Sequence, residues 1–255
     1  MLSYQHAYHA GGPADVHKHA ALAAMLALLT RKGRGISYAE THAGRGLYDL
    51  DGPEAARTGE AAAGIGQAEA DPASPYGEAL AMVRAEFGPR FYPGSPVIAW
   101  AFLRPQDRMT LMELHPAEHA ALHETMAGSG ASIHHREGFE RLLALAPLSP
   151  RRGLVLVDPS YEVKTEYADA ARFALRLAAK WPQAAIMIWY PVLPAGRHAE
   201  LLAGIAPLRP LVNEVTFRHP PSRGMTGSGL AIANGPYGAR EALDAAMTAG
   251  TGIFA

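Results

Sequence analysis

The chain has 255 residues, 49% hydrophobic and 18% charged, with a formal net charge of −1. That is enough to close one large α/β core, and too evenly charged to hold nucleic acid by bulk attraction alone. It has no cysteine, so disulfides and thiolate metal sites are excluded and a cytoplasmic location fits; no apolar run reaches bilayer length and the N-terminus lacks a positive segment followed by an apolar one, so neither a membrane span nor a secretion signal is expected.

Pro13 at a first helical position and Asp15 in the first turn open a helix over about 14–29, with Val16, Ala20, Leu22 and Met25 spaced so that one face packs inward. Lys18 and His19 lie early in it, either as surface residues or facing a ligand. A strand over 36–40 runs into Thr41-His42-Ala43-Gly44-Arg45-Gly46, a glycine turn that lets a ligand approach the backbone at Gly44. The turn lacks the full dinucleotide fingerprint, which speaks against a nicotinamide enzyme. From 49 to about 92 the chain is too long for an ordinary strand-to-helix connection and reads as a small helical insertion, with helical segments near 61–70 and 76–87.

Tyr92-Pro93-Gly94-Ser95-Pro96 forms a rigid turn into a helix over 97–103, with Ser95 as its cap, a role compatible with a ligand contact. A second strand over 109–114 ends near Glu113, an acid placed to hold both ribose hydroxyls of an adenosine cofactor. A helix over 116–126 and a short strand over 132–135 follow, and Glu137-Gly138 then falls at a strand end, where a cofactor adenine would lie. The twelve histidines, His134-His135 included, show no metal-ligand spacing with partner acids, so no metal is expected.

Leu154-Val155-Leu156-Val157, between Gly153 and Asp158-Pro159, reads as a parallel strand buried on both faces. Pro159 keeps Asp158 extended at the carboxyl edge of the sheet, where open α/β folds place their ligands. An exocyclic amine on a base can donate to the Asp158 carboxylate and to the Pro159 carbonyl while Tyr161 covers the ring, which leaves the nitrogen lone pair free to attack. An ordinary turn after a buried strand has the same Asp-Pro pattern. A helix over 166–180, a strand over 185–191, a helix over 196–205, a strand over 211–218, a loop over 220–229 containing Arg223 and a last strand over 230–233 complete the chain. No linker divides it, so 1–255 is expected to form a single domain.

The stretch Asp158-Pro159-Ser160-Tyr161 resembles the Asp/Asn-Pro-Pro-Tyr/Phe motif of amino-methyltransferases, with Ser160 in place of the second proline. Tyr4, His9-Ala10-Gly11, Asp15, Lys18-His19, Thr41-His42-Ala43-Gly44, Tyr92-Pro93-Gly94-Ser95-Pro96, Glu113-Leu114-His115-Pro116, Gly138-Phe139 and Arg223-Gly224-Met225-Thr226 extend the likeness over nearly the whole chain. In that order they resemble the bacterial 23S ribosomal RNA adenine-N6 methyltransferases, a family earlier described as taking part in the use of external DNA.

The resemblance implies a class I S-adenosylmethionine-dependent methyltransferase fold, Rossmann-like, with a mostly parallel seven-stranded sheet. It implies that His19, His42, Gly44, Ser95, Glu113, Glu137, Gly138 and Asp158 bind S-adenosyl-L-methionine, with Lys18 at the mouth of the same pocket. Asp158, with Pro159 and Tyr161, would be catalytic, and Tyr4 with Tyr161 would meet the 23S rRNA substrate. The family has Asp where this chain has Glu137. A monomer is expected. Two other readings remain at this point: the same chemistry on DNA adenine, and a nucleic-acid-binding protein without catalysis.

Overall fold

The computed structural model describes residues 5–221, 224–248 and 252–255. Its central sheet is built outward from a first strand, β1 (Ser37–Glu40), buried along its length. The chain crosses from β1 to β4 (Arg108–Met112) and on to β5 (Ser132–His134), then returns to the other side of β1 as β6 (Gly153–Val157) and continues to β7 (Ala184–Val192). All four of these pairings are parallel. The other edge is closed by β9 (Gly227–Ala233), antiparallel to β7, and β8 (Leu211–Thr216), antiparallel to β9, giving the order β5-β4-β1-β6-β7-β9-β8. The mostly parallel seven-stranded sheet is thus the one expected.

Between β1 and β6 the crossovers run in opposite directions, which opens a crevice at the carboxyl ends of these two strands. Glu40 lies at one lip and Asp158 at the other. β6 reads Gly-Leu-Val-Leu-Val and is buried at every position, as a strand covered on both faces must be.

The helix α1 (Pro13–Thr30) departs from the expected one-sided pattern: Asp15, His17, Lys18 and His19 are buried along with its apolar residues. It packs against α4 (Pro75–Phe87), α5 (Ser95–Phe102), α10 (Ala239–Thr248) and β9. A helix with neighbours on several sides has no solvent face to reserve for polar groups. These polar residues must therefore find partners inside.

The insertion is closed by a small antiparallel hairpin of β2 (Leu47–Asp49) and β3 (Phe91–Pro93), which the sequence reading did not anticipate. The helix expected near 61–70 is replaced by the short α2 (Pro53–Thr58) and α3 (Glu60–Ala63). Gly64 ends α3 where the chain must press against Gly11; a Cβ there would lie 2.1 Å from the Gly11 carbonyl oxygen. On the sheet flanks lie α6 (Pro116–Thr125), α7 (Gly138–Leu145), α8 (Glu166–Lys180) and α9 (His198–Ile205).

Candidate active site

Asp158 follows the last residue of β6, and its carboxylate is 14% exposed. Oδ2 accepts a hydrogen bond from Lys18 Nζ at 2.6 Å, reached from α1. The same ammonium lies 3.0 Å from Asp15 Oδ1, one turn earlier on the helix. Asp15 Oδ2 in turn accepts from the Gly11 N–H at 3.0 Å and lies 2.8 Å from His6 Nε2. Burial acts to lower the Lys18 pKa, but the two carboxylates more than offset it and the ammonium is held more firmly than usual. Burial likewise acts to raise the Asp15 carboxyl, yet His6 and Lys18 keep it well below the ordinary range. Lys18 also sits 5.6 Å from the Trp189 ring centroid, a cation–π contact. Among the described residues nothing is hydrogen-bonded to Asp158 Oδ1.

Tyr161 was expected to cover a base, and its ring is instead packed into the core. It is 8% exposed, lies 4.5 Å from the Tyr167 ring, and its hydroxyl donates to the Trp189 carbonyl at 2.7 Å. Its φ of +56° is unusual for an aromatic residue and costs on the order of 1 kcal/mol, which the hydrogen bond and ring packing oppose.

At the other lip, Glu40 ends β1 fully buried. Tyr38 Oη donates to its Oε1 and Ser95 Oγ to its Oε2, both at 2.7 Å. Burial pushes the Glu40 carboxyl up to about 8, against the pull of those two hydroxyls. Ser95 is therefore not the expected helix cap. Gly94 holds the cap position of α5, and the Ser95 hydroxyl is spent on Glu40.

The glycine turn and the acid after β4 are tied together. Glu113 accepts from the Gly44 N–H at 2.8 Å and from the His115 N–H at 2.7 Å. Burial raises the Glu113 carboxyl while those two bonds lower it, and burial wins. Gly44 has φ +63°, and a Cβ on it would meet the Tyr48 hydroxyl at 2.5 Å, so any other residue would be strained there. His42 Nδ1 lies 2.8 Å from Thr41 Oγ1, and its ring meets the edge of Phe139 at 5.3 Å. His19 faces the insertion: its Nδ1 lies 2.8 Å from Tyr92 Oη, which continues to Tyr76 Oη at 2.9 Å, and burial lowers its pKa to about 3.

Glu137 caps α7, its carboxylate accepting from the N–H groups of Phe139 and Glu140 at 3.0 and 2.7 Å. Gly138 sits so close to β1 that a Cβ would lie 2.0 Å from the Thr41 carbonyl oxygen. A cleft of about 680 Å3 opens between α7 and α8, with His42, Glu137, Phe139 and Pro159 at its strand-end side. The structure thus brings His42, Glu137 and Pro159 to one cleft. Lys18 and Asp158 are joined by their ion pair, Gly44 and Glu113 by a hydrogen bond, and Ser95 and His19 are bonded to Glu40 and Tyr92. None of these six, nor Gly138 or Tyr161, lines that cleft. Tyr4 and Arg223 lie outside the described residues. Asp15 and Glu40 are the site residues the sequence reading missed. An acid three positions before Lys18, and an acid closing the first buried strand, were the available signals.

Among the described residues no group of three or more His, Asp or Glu is placed to hold a metal ion, and no helix is long and apolar enough to cross a membrane.

Residues 33–249 match the family model described as "Ribosomal RNA large subunit methyltransferase D, RlmJ". The chain is 36% identical over 247 residues to "Ribosomal RNA large subunit methyltransferase J" of Escherichia coli K12, covering 93% of this chain and 88% of that protein. The protein of the same name from Haemophilus influenzae is 35% identical over 248 residues, with the same shares covered. Among solved structures, protein LPL1258 from Legionella pneumophila superposes with a TM-score of 0.84 at 32% identity, over 97% of this chain and 96% of that one.

Proposed function

The chain belongs to the RlmJ family of ribosomal RNA large subunit methyltransferases, and from that premise we propose that it methylates N6 of an adenine in 23S rRNA with S-adenosylmethionine as donor. The observation that carries this reading is Asp158-Pro159 at the carboxyl end of β6, on the crevice between β1 and β6. Pro159 also borders the cleft that contains His42 and Glu137.

The residues present fit the donor. Glu113, at the tip of β4, keeps a free lone pair on each oxygen after accepting from Gly44 and His115, which suits a ribose diol. His42, Phe139 and Pro159 offer flat and apolar surface to an adenine, and the side-chain-free Gly44 allows close approach. S-adenosylmethionine supplies a methyl group carried on a positively charged sulfur.

The chain's own residues position the acceptor. An adenine must leave its stack to reach Asp158, which costs a few kcal/mol. Lys18 occupies Asp158 Oδ2 and fixes the carboxylate in place, so Oδ1 accepts one N6–H while the Pro159 carbonyl accepts the other. Both acceptors draw on hydrogens and leave the lone pair to attack. As the amine becomes cationic, the Asp158 carboxylate stabilises it and is the nearest group to receive its proton. Tyr161, fixed against Tyr167 and Trp189, sets the backbone that follows the acid.

A monomer acting in the cytoplasm, folded as one domain over 1–255, completes the proposal. A chain without cysteine and an rRNA substrate support the location. The test is Asp158→Asn, measured by calorimetry with S-adenosylmethionine and by methyl transfer to a 23S rRNA transcript. Donor affinity is expected to persist and transfer to fall by about 10²–10³-fold; lost affinity with normal turnover at saturation would overturn the assignment.

A further inference from the structure

Beyond the strand ends that carry Asp158, the free edge of the sheet holds a second cleft of about 400 Å3. Four imidazoles, His119 and His123 from α6 and His134 and His135 from the end of β5, line it with the guanidiniums of Arg136 and Arg141. No carboxylate lines it. Of the neighbouring acids, Glu118 is held by Arg45 through two hydrogen bonds of 2.9 and 2.6 Å, and Glu137 by the first N–H groups of α7. The rings are crowded: His119 stacks on His135 at 4.7 Å and meets His123 at 4.8 Å. His134 Nδ1 lies 3.4 Å from an Arg141 terminal nitrogen.

So many donors without an acid leave unmet hydrogen-bonding capacity, and one case is explicit. Arg141 Nε is buried and has no hydrogen-bond partner. A buried donor in that condition is destabilising until an acceptor arrives. Burial lowers the pKa of His119 and His134, and the neighbouring cationic groups lower it further, as expected where positive groups face each other without a counter-charge. Such a set of donors suits an anion with several acceptor oxygens.

Position indicates which anion. β5 ends at His134, whose carbonyl accepts from the Glu113 N–H at 3.1 Å, and His135 Nε2 lies 2.9 Å from the Leu114 carbonyl. Glu137, three residues beyond His134, already lines the first cleft. The segment from His134 to Glu137 therefore runs from one cleft to the other, and a polymer whose base occupies the crevice has phosphates to spare along it.

We infer that the cleft of His119, His123, His134, His135, Arg136 and Arg141 docks the sugar–phosphate backbone of the substrate RNA, away from the methylated nucleotide. The inference rests on the proposed rRNA reading. Arg136 and Arg141 supply charge and forked donors, and each imidazole supplies an N–H even when neutral. A chain of net charge −1 has to gather its RNA affinity locally, and this cleft is such a place.

The test uses the full chain carrying His123→Ala and Arg136→Ala, both at exposed positions. Binding of a 23S rRNA fragment is followed by fluorescence anisotropy and methyl transfer by KM for the RNA, each at several salt concentrations. Expected are a Kd and KM raised about 10-fold near physiological salt, a salt slope shallower by about one, and unchanged S-adenosylmethionine affinity. Arg136→Lys in place of Arg136→Ala should restore most of the affinity. RNA Kd, KM and slope equal to those of the unaltered chain would overturn the inference and leave the methyltransferase reading intact. An unaltered chain that transfers no methyl yet binds RNA with a slope the double variant lowers would overturn that reading and keep the docking site. Polyglutamate bound as tightly as RNA, and lost in the same variant, would reassign the cleft to an acidic protein surface.

Discussion

Replacing Glu40 by Gln isolates the most unusual ionisation in the crevice. Glu40 is wholly buried, and its two oxygens each accept one hydroxyl, from Tyr38 and from Ser95. Burial raises its pKa from the ordinary 4.5 to about 8. The folded chain thus keeps a proton on Glu40 that the unfolded chain releases above pH 4.5, and stability from this group is full below that value and lost as pH rises through 8. At about 1.36 kcal/mol per pH unit, the loss accumulates to about 5 kcal/mol. Gln has the same shape and cannot ionise, and hydroxyl rotors on Tyr38 and Ser95 can reorient to its amide. Urea unfolding of both chains from pH 4.5 to 8.5 measures the effect. The stability difference, Glu40→Gln minus the unaltered chain, should climb by about 5 kcal/mol across that range and level off above it. Every other titrating group cancels in the difference. A difference that stays flat with pH would mean that Glu40 is already ionised in the fold, and the burial argument would fall.

His17 gives the opposite sign. Its Nδ1 lies 2.8 Å from Ser228 Oγ and its Nε2 2.8 Å from Asn213 Oδ1, and burial lowers its pKa from 6.5 to about 4. Stability from a neutral His17 is complete above pH 6.5 and is lost as pH falls toward 4, by about 3 kcal/mol. Between pH 7 and 4 the unaltered chain should lose about that much more in urea unfolding than His17→Gln does, and equal losses would refute the reasoning. For Gly138→Ala, a Cβ 2.0 Å from the Thr41 carbonyl oxygen forces α7 away from β1. Overpacking of that kind costs about 1–3 kcal/mol, so calorimetric Tm should drop by about 3–10 °C, and an unchanged Tm would show that the two segments are not in register.

The parts of the fold that could be read from the sequence are those whose cause is local. β6 is a continuous branched apolar run between Gly153 and Asp158, and α8 begins and ends where its residues 166–180 suggested. The position of α1 is local, but its surroundings are not. His17, Lys18 and His19 are consecutive, so they point in different directions around the helix, and all three are buried because α4, α5, α10 and β9 pack around it. Nothing within the segment announces those neighbours. The β2–β3 hairpin was missed for a related reason: its strands are three residues each, and their pairing depends on the whole insertion folding between them.

The candidate site divides along the same line. Asp158 could be found because Pro159 fixes its backbone and the preceding strand fixes its place on the sheet. Its partner Lys18 lies 140 positions earlier, and the hydroxyl that meets Glu40 comes from Ser95, 55 positions later. A motif lists the groups that reach a reacting atom, whereas the groups that hold them are recruited by tertiary packing and carry no fixed spacing. Lys18 is the case in point. Two carboxylates, Asp15 and Asp158, would repel one another in a poorly solvated space, and one buried ammonium lying 3.0 and 2.6 Å from them holds the two side by side. The acceptor that an amine meets on β6 is therefore set as much by α1 as by the strand that carries it.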